Sequence, residues 1–167
     1  MWPALVSIPV LGLAVMLQLA IISRVPLLSG TADLILVVLA AWGLQQKVRV
    51  AWIWGLVAGL MVGFVSALPW YIWLISYLGV SAAAQALKRR VWQAPLLAMF
   101  TITLLGSLVI HMLSFIAIRL SGNPLPLAEA FTLITLPSTL LNMLLALAVF
   151  PIMRDLANWL YPGEEYV

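Results

Sequence analysis

The chain has 167 residues, of which 65% are hydrophobic and 8% charged, with a formal net charge of +3 and no cysteine. A soluble domain carries roughly 45–50% apolar and about 25% charged residues, so this composition excludes an ordinary soluble fold and leaves an integral membrane protein. The lack of cysteine excludes a disulfide, a thiolate metal site and a cysteine nucleophile.

The apolar stretches run about 15–25 residues each, which suits helices rather than the roughly 10-residue alternating strands of an outer-membrane barrel. The opening "MWPALVSIPVLGLAVMLQLA" lacks the basic n-region of a secretory signal and is expected to be a retained first span, residues 4–22. A polar break, "SRVPLLSGTAD", follows, punctuated by Pro26 and Gly30. The second span is predicted over 31–46, with Thr31 as its cap and Asp33 in its first turn. Lys47 and Arg49 would snorkel from its end.

The third span, 50–68, carries Gly55, Gly59 and Gly63 at spacings of four, with Ala51 four residues before and Ala67 four after. Pro69 interrupts it. An unbroken helix over 50–87 would be about 57 Å long, far beyond a ~30 Å hydrocarbon core. The chain is therefore expected to turn at "SALPW" and return as a fourth span, 70–87, with Trp70, Tyr71 and Trp73 in an aromatic belt. After "KRR" at 88–90, a fifth span covers 95–118, with Pro95 in its first turn. "RLSGNPLP" is predicted as a loop, and 126–136 as an interfacial or re-entrant helix. Pro137 then starts a sixth span, 137–153, kinked near its end by Pro151, and the tail "LYPGEEYV" is expected to be polar and mobile. No soluble domain or sequence repeat is evident, so the whole chain reads as one transmembrane domain.

With both termini cytoplasmic, six spans put Lys47, Arg49, Lys88, Arg89, Arg90 and Arg154 inside and Arg24 and Arg119 outside. That distribution obeys the positive-inside rule, whereas five spans would divide the same residues less cleanly.

The small-residue seam of Ala51, Gly55, Gly59, Gly63 and Ala67 lets a second helix approach closely, either one of this chain or a partner's transmembrane helix. Asp33 is a carboxylate at membrane depth, a functional candidate by that fact alone. Its place at a helix start also gives it a structural role, with Arg24 as a possible counter-ion. His111 is expected to be a neutral histidine hydrogen-bonded to a neighbouring helix, the other reading being a proton or ligand role. Gln18, Gln85, Ser138, Thr139 and Asn142 are further polar positions, too scattered to define a pocket. Lys88, Arg89 and Arg90 read first as a cytoplasmic basic anchor and second as a contact for anionic lipid or a partner. A single histidine excludes a multi-histidine metal site, and neither a phosphate loop nor a nucleophile elbow is present. No catalytic group, cofactor or nucleic-acid partner is expected.

Four segments together resemble the bacterial rod shape-determining MreD family: "LQLAIISRVPLLSGTADLILVVLAAWGL" (17–44), "GLVAGLMVGF" (55–64), "YLGVSAAAQALKRR" (77–90) and "LPSTLLNMLLALAVFPIMRDLANWL" (136–160). Ala32 stands where that family often has proline, and Ala67 where many members have an aspartate. The resemblance implies a non-enzymatic subunit of the cell-elongation machinery in the bacterial inner membrane. It would bind MreC and help couple MreB filaments to the RodA glycosyltransferase and a penicillin-binding transpeptidase. It also implies a six-helix fold like the substrate-binding subunits of energy-coupling-factor transporters. That likeness supplies a second expectation, a vitamin- or metal-binding transporter subunit.

Overall fold

A computed structural model of the chain describes residues 2–89, 94–122 and 126–162. Arg90, the 123–125 part of the predicted loop and the tail 163–167 lie outside the described residues. Among the described residues the fold is all-helical: α1 (Trp2–Ala20), α2 (Leu34–Gly43), α3 (Trp52–Val65), α4 (Trp70–Lys88), α5 (Pro95–Leu120) and α6 (Leu127–Leu160). By length and apolarity α1, α4, α5 and α6 are each able to cross a membrane, while α2 and α3 are shorter apolar helices of 10 and 14 residues.

The short α2 is the centre of the molecule. All ten of its residues are buried, and it packs against each of the other five helices. A helix that is apolar all round has no polar face to turn outward, and α2 is enclosed accordingly. Its rise of about 15 Å is half the ~30 Å hydrocarbon thickness, and non-helical backbone within a bilayer is tolerated only where protein supplies its hydrogen-bond partners. Both ends of α2 meet that condition with side chains from distant helices.

The sequence predicts helix from Thr31, but the cap is Asp33, whose carboxylate accepts from the Leu36 N–H at 2.9 Å. Thr31 lies two residues earlier, its N–H donating to Ser138 Oγ at 3.0 Å. At the opposite end Lys88 is turned inward and buried. Its ammonium donates to the Gln45 carbonyl at 3.3 Å and to the Val48 carbonyl, just past the α2 C-terminus. The expected basic anchor is thus divided: Lys88 is an internal cap, favoured at that end by the helix dipole, and Arg89 alone of the described pair is exposed.

The turn at 66–69 folds α4 back on α3 as a hairpin. Its contact is the glycine seam. A Cβ on Gly55 would stand 3.2 Å from Leu78 Cα, one on Gly59 2.6 Å from Leu74 Cα, and one on Gly63 3.0 Å from Trp70 Cα. These pairs step by four in opposite directions, so two antiparallel backbones touch along nearly the whole length of α3. The seam is shorter than its sequence pattern. Ala67 lies past the end of α3 and is exposed, while Ala51, the residue before α3, is buried against Gly43 of α2.

The predicted separation of 126–136 from a span beginning at Pro137 does not occur. One 34-residue helix runs through both, with a π-turn at Phe131–Thr135 that ends two residues before Pro137. Proline has no N–H to offer the carbonyl four residues back. That carbonyl, Leu133 O, instead accepts from the Ser29 N–H at 3.1 Å. The loop before α2 presses onto this irregular turn so closely that a Cβ on Gly30 would lie 2.6 Å from Ile134 O. Gly30 is therefore a contact residue as well as a break. Pro151 is likewise housed within α6, which continues to Leu160.

Candidate functional site

The first end of α2 gathers one polar side chain from nearly every helix. Gln18 of α1 clamps the entry backbone from two sides: its Nε2 donates to Ala32 O at 2.7 Å, and its Oε1 accepts from the Leu34 N–H at 2.8 Å. Asn142 of α6 accepts from the Asp33 N–H at 2.6 Å and donates through Nδ2 to Ser107 Oγ of α5 at 2.9 Å. Tyr77 of α4 donates its hydroxyl to the Asp33 carboxylate, 3.0 and 3.2 Å from its two oxygens. Tyr77, Ser107 and Asn142 are all fully buried. In a bilayer, where water cannot substitute, such a junction fixes the relative heights of α1, α2, α4, α5 and α6.

Asp33 is thereby the hub, but its partners differ from the expected one. Leu36 and Tyr77 hold its carboxylate, and Arg24 does not pair with it. Among the described residues, no lysine or arginine forms an ion pair with this group.

Beside the junction lies a cavity of about 280 Å³. Asp33, Gln18 and Thr31 line one side, Trp73 and Tyr77 of α4 another, and Ser66, His111 and Ser114 contribute further polar groups. Trp73, expected in an aromatic belt with the exposed Trp70 and Tyr71, is half-buried here, its ring centroid 5.6 Å from that of Tyr77. A second cavity, about 350 Å³ and almost wholly apolar, lies between α5 and α6 against the π-turn. His111 stands in the wall of both. The expected hydrogen bond from His111 to a neighbouring helix is absent at Nδ1, which is buried without a partner, as is Trp73 Nε1.

The remaining sequence candidates separate from this site. Gln85 lies at the far end, donating to the Arg49 carbonyl, and the Thr139 hydroxyl is buried without a partner. The glycines Gly55, Gly59 and Gly63 are spent on the α3–α4 contact. Sequence reasoning missed Tyr77, Trp73 and Ser107. A signal for Tyr77 exists in the register of α4, where Tyr77, Ser81, Ala84 and Lys88 recur at helical spacing and are all buried. Ser107 offers no such signal, since an isolated serine in an apolar helix is as easily satisfied by its own backbone.

Among the described residues no cluster of three or more histidines, cysteines or carboxylates suits a metal ion. The arrangement places a carboxylate beside two aromatic rings, the His111 imidazole and the side chains of Thr31, Ser66 and Ser114 in a small cavity. No family model, no curated protein and no solved structure matches this chain.

Proposed function

We propose that this chain is an MreD-like protein: a non-enzymatic, multi-pass subunit of the bacterial cell-elongation machinery in the inner membrane. It binds MreC and helps link MreB filaments to peptidoglycan synthesis by RodA and a penicillin-binding transpeptidase. In this reading all six helices cross or line the bilayer, both termini are cytoplasmic, and the fold is of the type found in substrate-binding subunits of energy-coupling-factor transporters.

The observation that carries the reading is where the resembling segments meet. Gln18 and Asp33 belong to the first segment, Tyr77 to the third and Asn142 to the fourth, and these four side chains form one hydrogen-bonded junction. The junction thus joins three of the four resembling segments at the head of α2. The topology is supported by the alternating helix directions. Lys47 and Lys88 meet at the end of the bundle where α2 finishes, and Lys47 Nζ reaches Tyr161 O beyond α6. Arg24 follows α1 and Arg119 lies in the last turn of α5, both at the opposite end. This is the sorting expected of a positive cytoplasmic face.

The test is capture of MreC by the affinity-tagged chain from its own membranes, with cell shape scored after depletion. MreC in the eluate and rounded cells are expected. A well-expressed, folded chain that captures no MreC, in cells that stay rod-shaped without it, would overturn the reading. The second reading, a substrate-binding transporter subunit, is favoured by one observation, the partly polar cavity at the expected outer end. Co-purification with a small ligand and a transporter ATPase in place of MreC would select it.

A further inference from the structure

The Asp33 carboxylate receives hydrogen bonds from the Leu36 N–H and the Tyr77 hydroxyl, and among the described residues no lysine or arginine pairs with it. The same carboxylate lines a cavity whose adjacent wall is aromatic, with Trp73 and Tyr77 5.6 Å apart. Thr31, Ser66 and Ser114 add hydroxyls and His111 adds an imidazole, its Nδ1 without a partner, to a lining that is otherwise mostly apolar. A carboxylate, an aromatic wall and these uncharged polar groups are complementary to a compact cation bearing N–H donors. They do not suit an anion, which would meet Asp33 head-on. At about 280 Å³ the cavity is near the small end of ligand sites, which span roughly 300–1,000 Å³. That volume accommodates an aminoalkyl group.

We propose that this cavity binds a primary alkylammonium group, with the Asp33 carboxylate as counter-ion and Trp73 and Tyr77 as its aromatic wall. The group has two sources, a free amine or the headgroup of phosphatidylethanolamine. The site rests on its own geometry and stands whether or not the chain binds MreC.

The purified full-length chain in detergent is titrated calorimetrically with ethanolamine, and with ethylene glycol as the uncharged analogue. In parallel, chain reconstituted with phosphatidylethanolamine or phosphatidylglycerol is examined for retained lipid by native mass spectrometry. Asp33→Asn keeps an oxygen for the Leu36 N–H and removes the charge. Trp73→Leu removes an indole whose Nε1 makes no hydrogen bond in the fold, so the junction stays intact. Saturable binding of ethanolamine but not ethylene glycol, weakened at least tenfold by Asp33→Asn and about fivefold by Trp73→Leu, is the result expected for a free amine. Retention of phosphatidylethanolamine over phosphatidylglycerol by the native chain and not by Asp33→Asn, without binding of free ethanolamine, assigns the lipid headgroup. Equal binding of ethylene glycol, undiminished binding by both variants while they unfold at the native temperature, or no preference for either amine source overturns the proposal.

Discussion

The α3–α4 hairpin and the junction at the head of α2 join helices by opposite means. Along the hairpin, Gly59 brings backbones together so closely that an added Cβ would lie 2.6 Å from Leu74 Cα. The gain there is dispersion, one of the few attractions between helices that lipid does not equally provide. At the junction, five helices are tied by side-chain hydrogen bonds, and the packing is open enough to leave a cavity of about 280 Å³ beside Asp33. The seam stabilises through shape and tolerates no added volume. The junction stabilises through satisfied polar groups and tolerates space, which leaves room for a ligand.

The largest effect is therefore expected at Gly59. In Gly59→Leu the new side chain meets backbone, which cannot rotate away, so the hairpin must open. The cost should reach or exceed the upper end of the roughly 1–3 kcal/mol typical of overpacking. Thermal unfolding in detergent, or protein abundance in the membrane, measures it. A variant of native stability would mean that α3 and α4 do not touch along this face.

A smaller loss, about 1–3 kcal/mol, is expected from Asn142→Leu, which preserves volume but strands the Asp33 N–H and the Ser107 hydroxyl. Unlike the seam variant, it should leave the α3–α4 contact in place. Backbone amide exchange along α3 and α4 should stay slow in Asn142→Leu and quicken in Gly59→Leu. Equal quickening in both would show that seam and junction are one cooperative unit.

Lys88→Met tests the opposite end of α2. It removes the donor to the Gln45 and Val48 carbonyls but also relieves the burial of a charge, so the two terms partly cancel. A net destabilisation of about 1 kcal/mol is expected, below that of Asn142→Leu. A loss as large as that of the seam variant would make Lys88, rather than Asp33, the dominant cap.

The same contrast explains what the sequence disclosed. A seam is written as a period on one helix, so Gly55, Gly59 and Gly63 identify themselves, and Pro69 marks the reversal that follows. The junction is written one residue per helix, with Asp33 and Asn142 separated by 109 positions and Asp33 and Tyr77 by 44. No local pattern links them. Lys88 was misleading for a related reason. A basic run at a helix end reads as exposed, yet Lys88 falls on the buried face of α4 with Tyr77, Ser81 and Ala84. The continuity of α6 was hidden because the donor that replaces the missing Pro137 N–H comes from Ser29, more than a hundred residues earlier.

The smallest effect, of opposite sign, is expected at Gly79. It lies in the same hairpin, directly after Leu78 and five residues after Leu74, but a Cβ there would meet nothing within 4 Å. Gly79→Ala should therefore express only the helix preference of alanine and stabilise by a few tenths of a kcal/mol to about 1 kcal/mol. Gly59→Ala, the identical chemical change on the facing helix, places its methyl 2.6 Å from Leu74 Cα and should destabilise. Composition, propensity and bilayer depth act similarly on the two substitutions, so their difference isolates the close approach itself. Melting temperatures of the pair decide the matter. If both variants shifted upward together, the glycines of α3 would be serving no contact, and the distinction between a seam that excludes volume and a junction that leaves it would collapse.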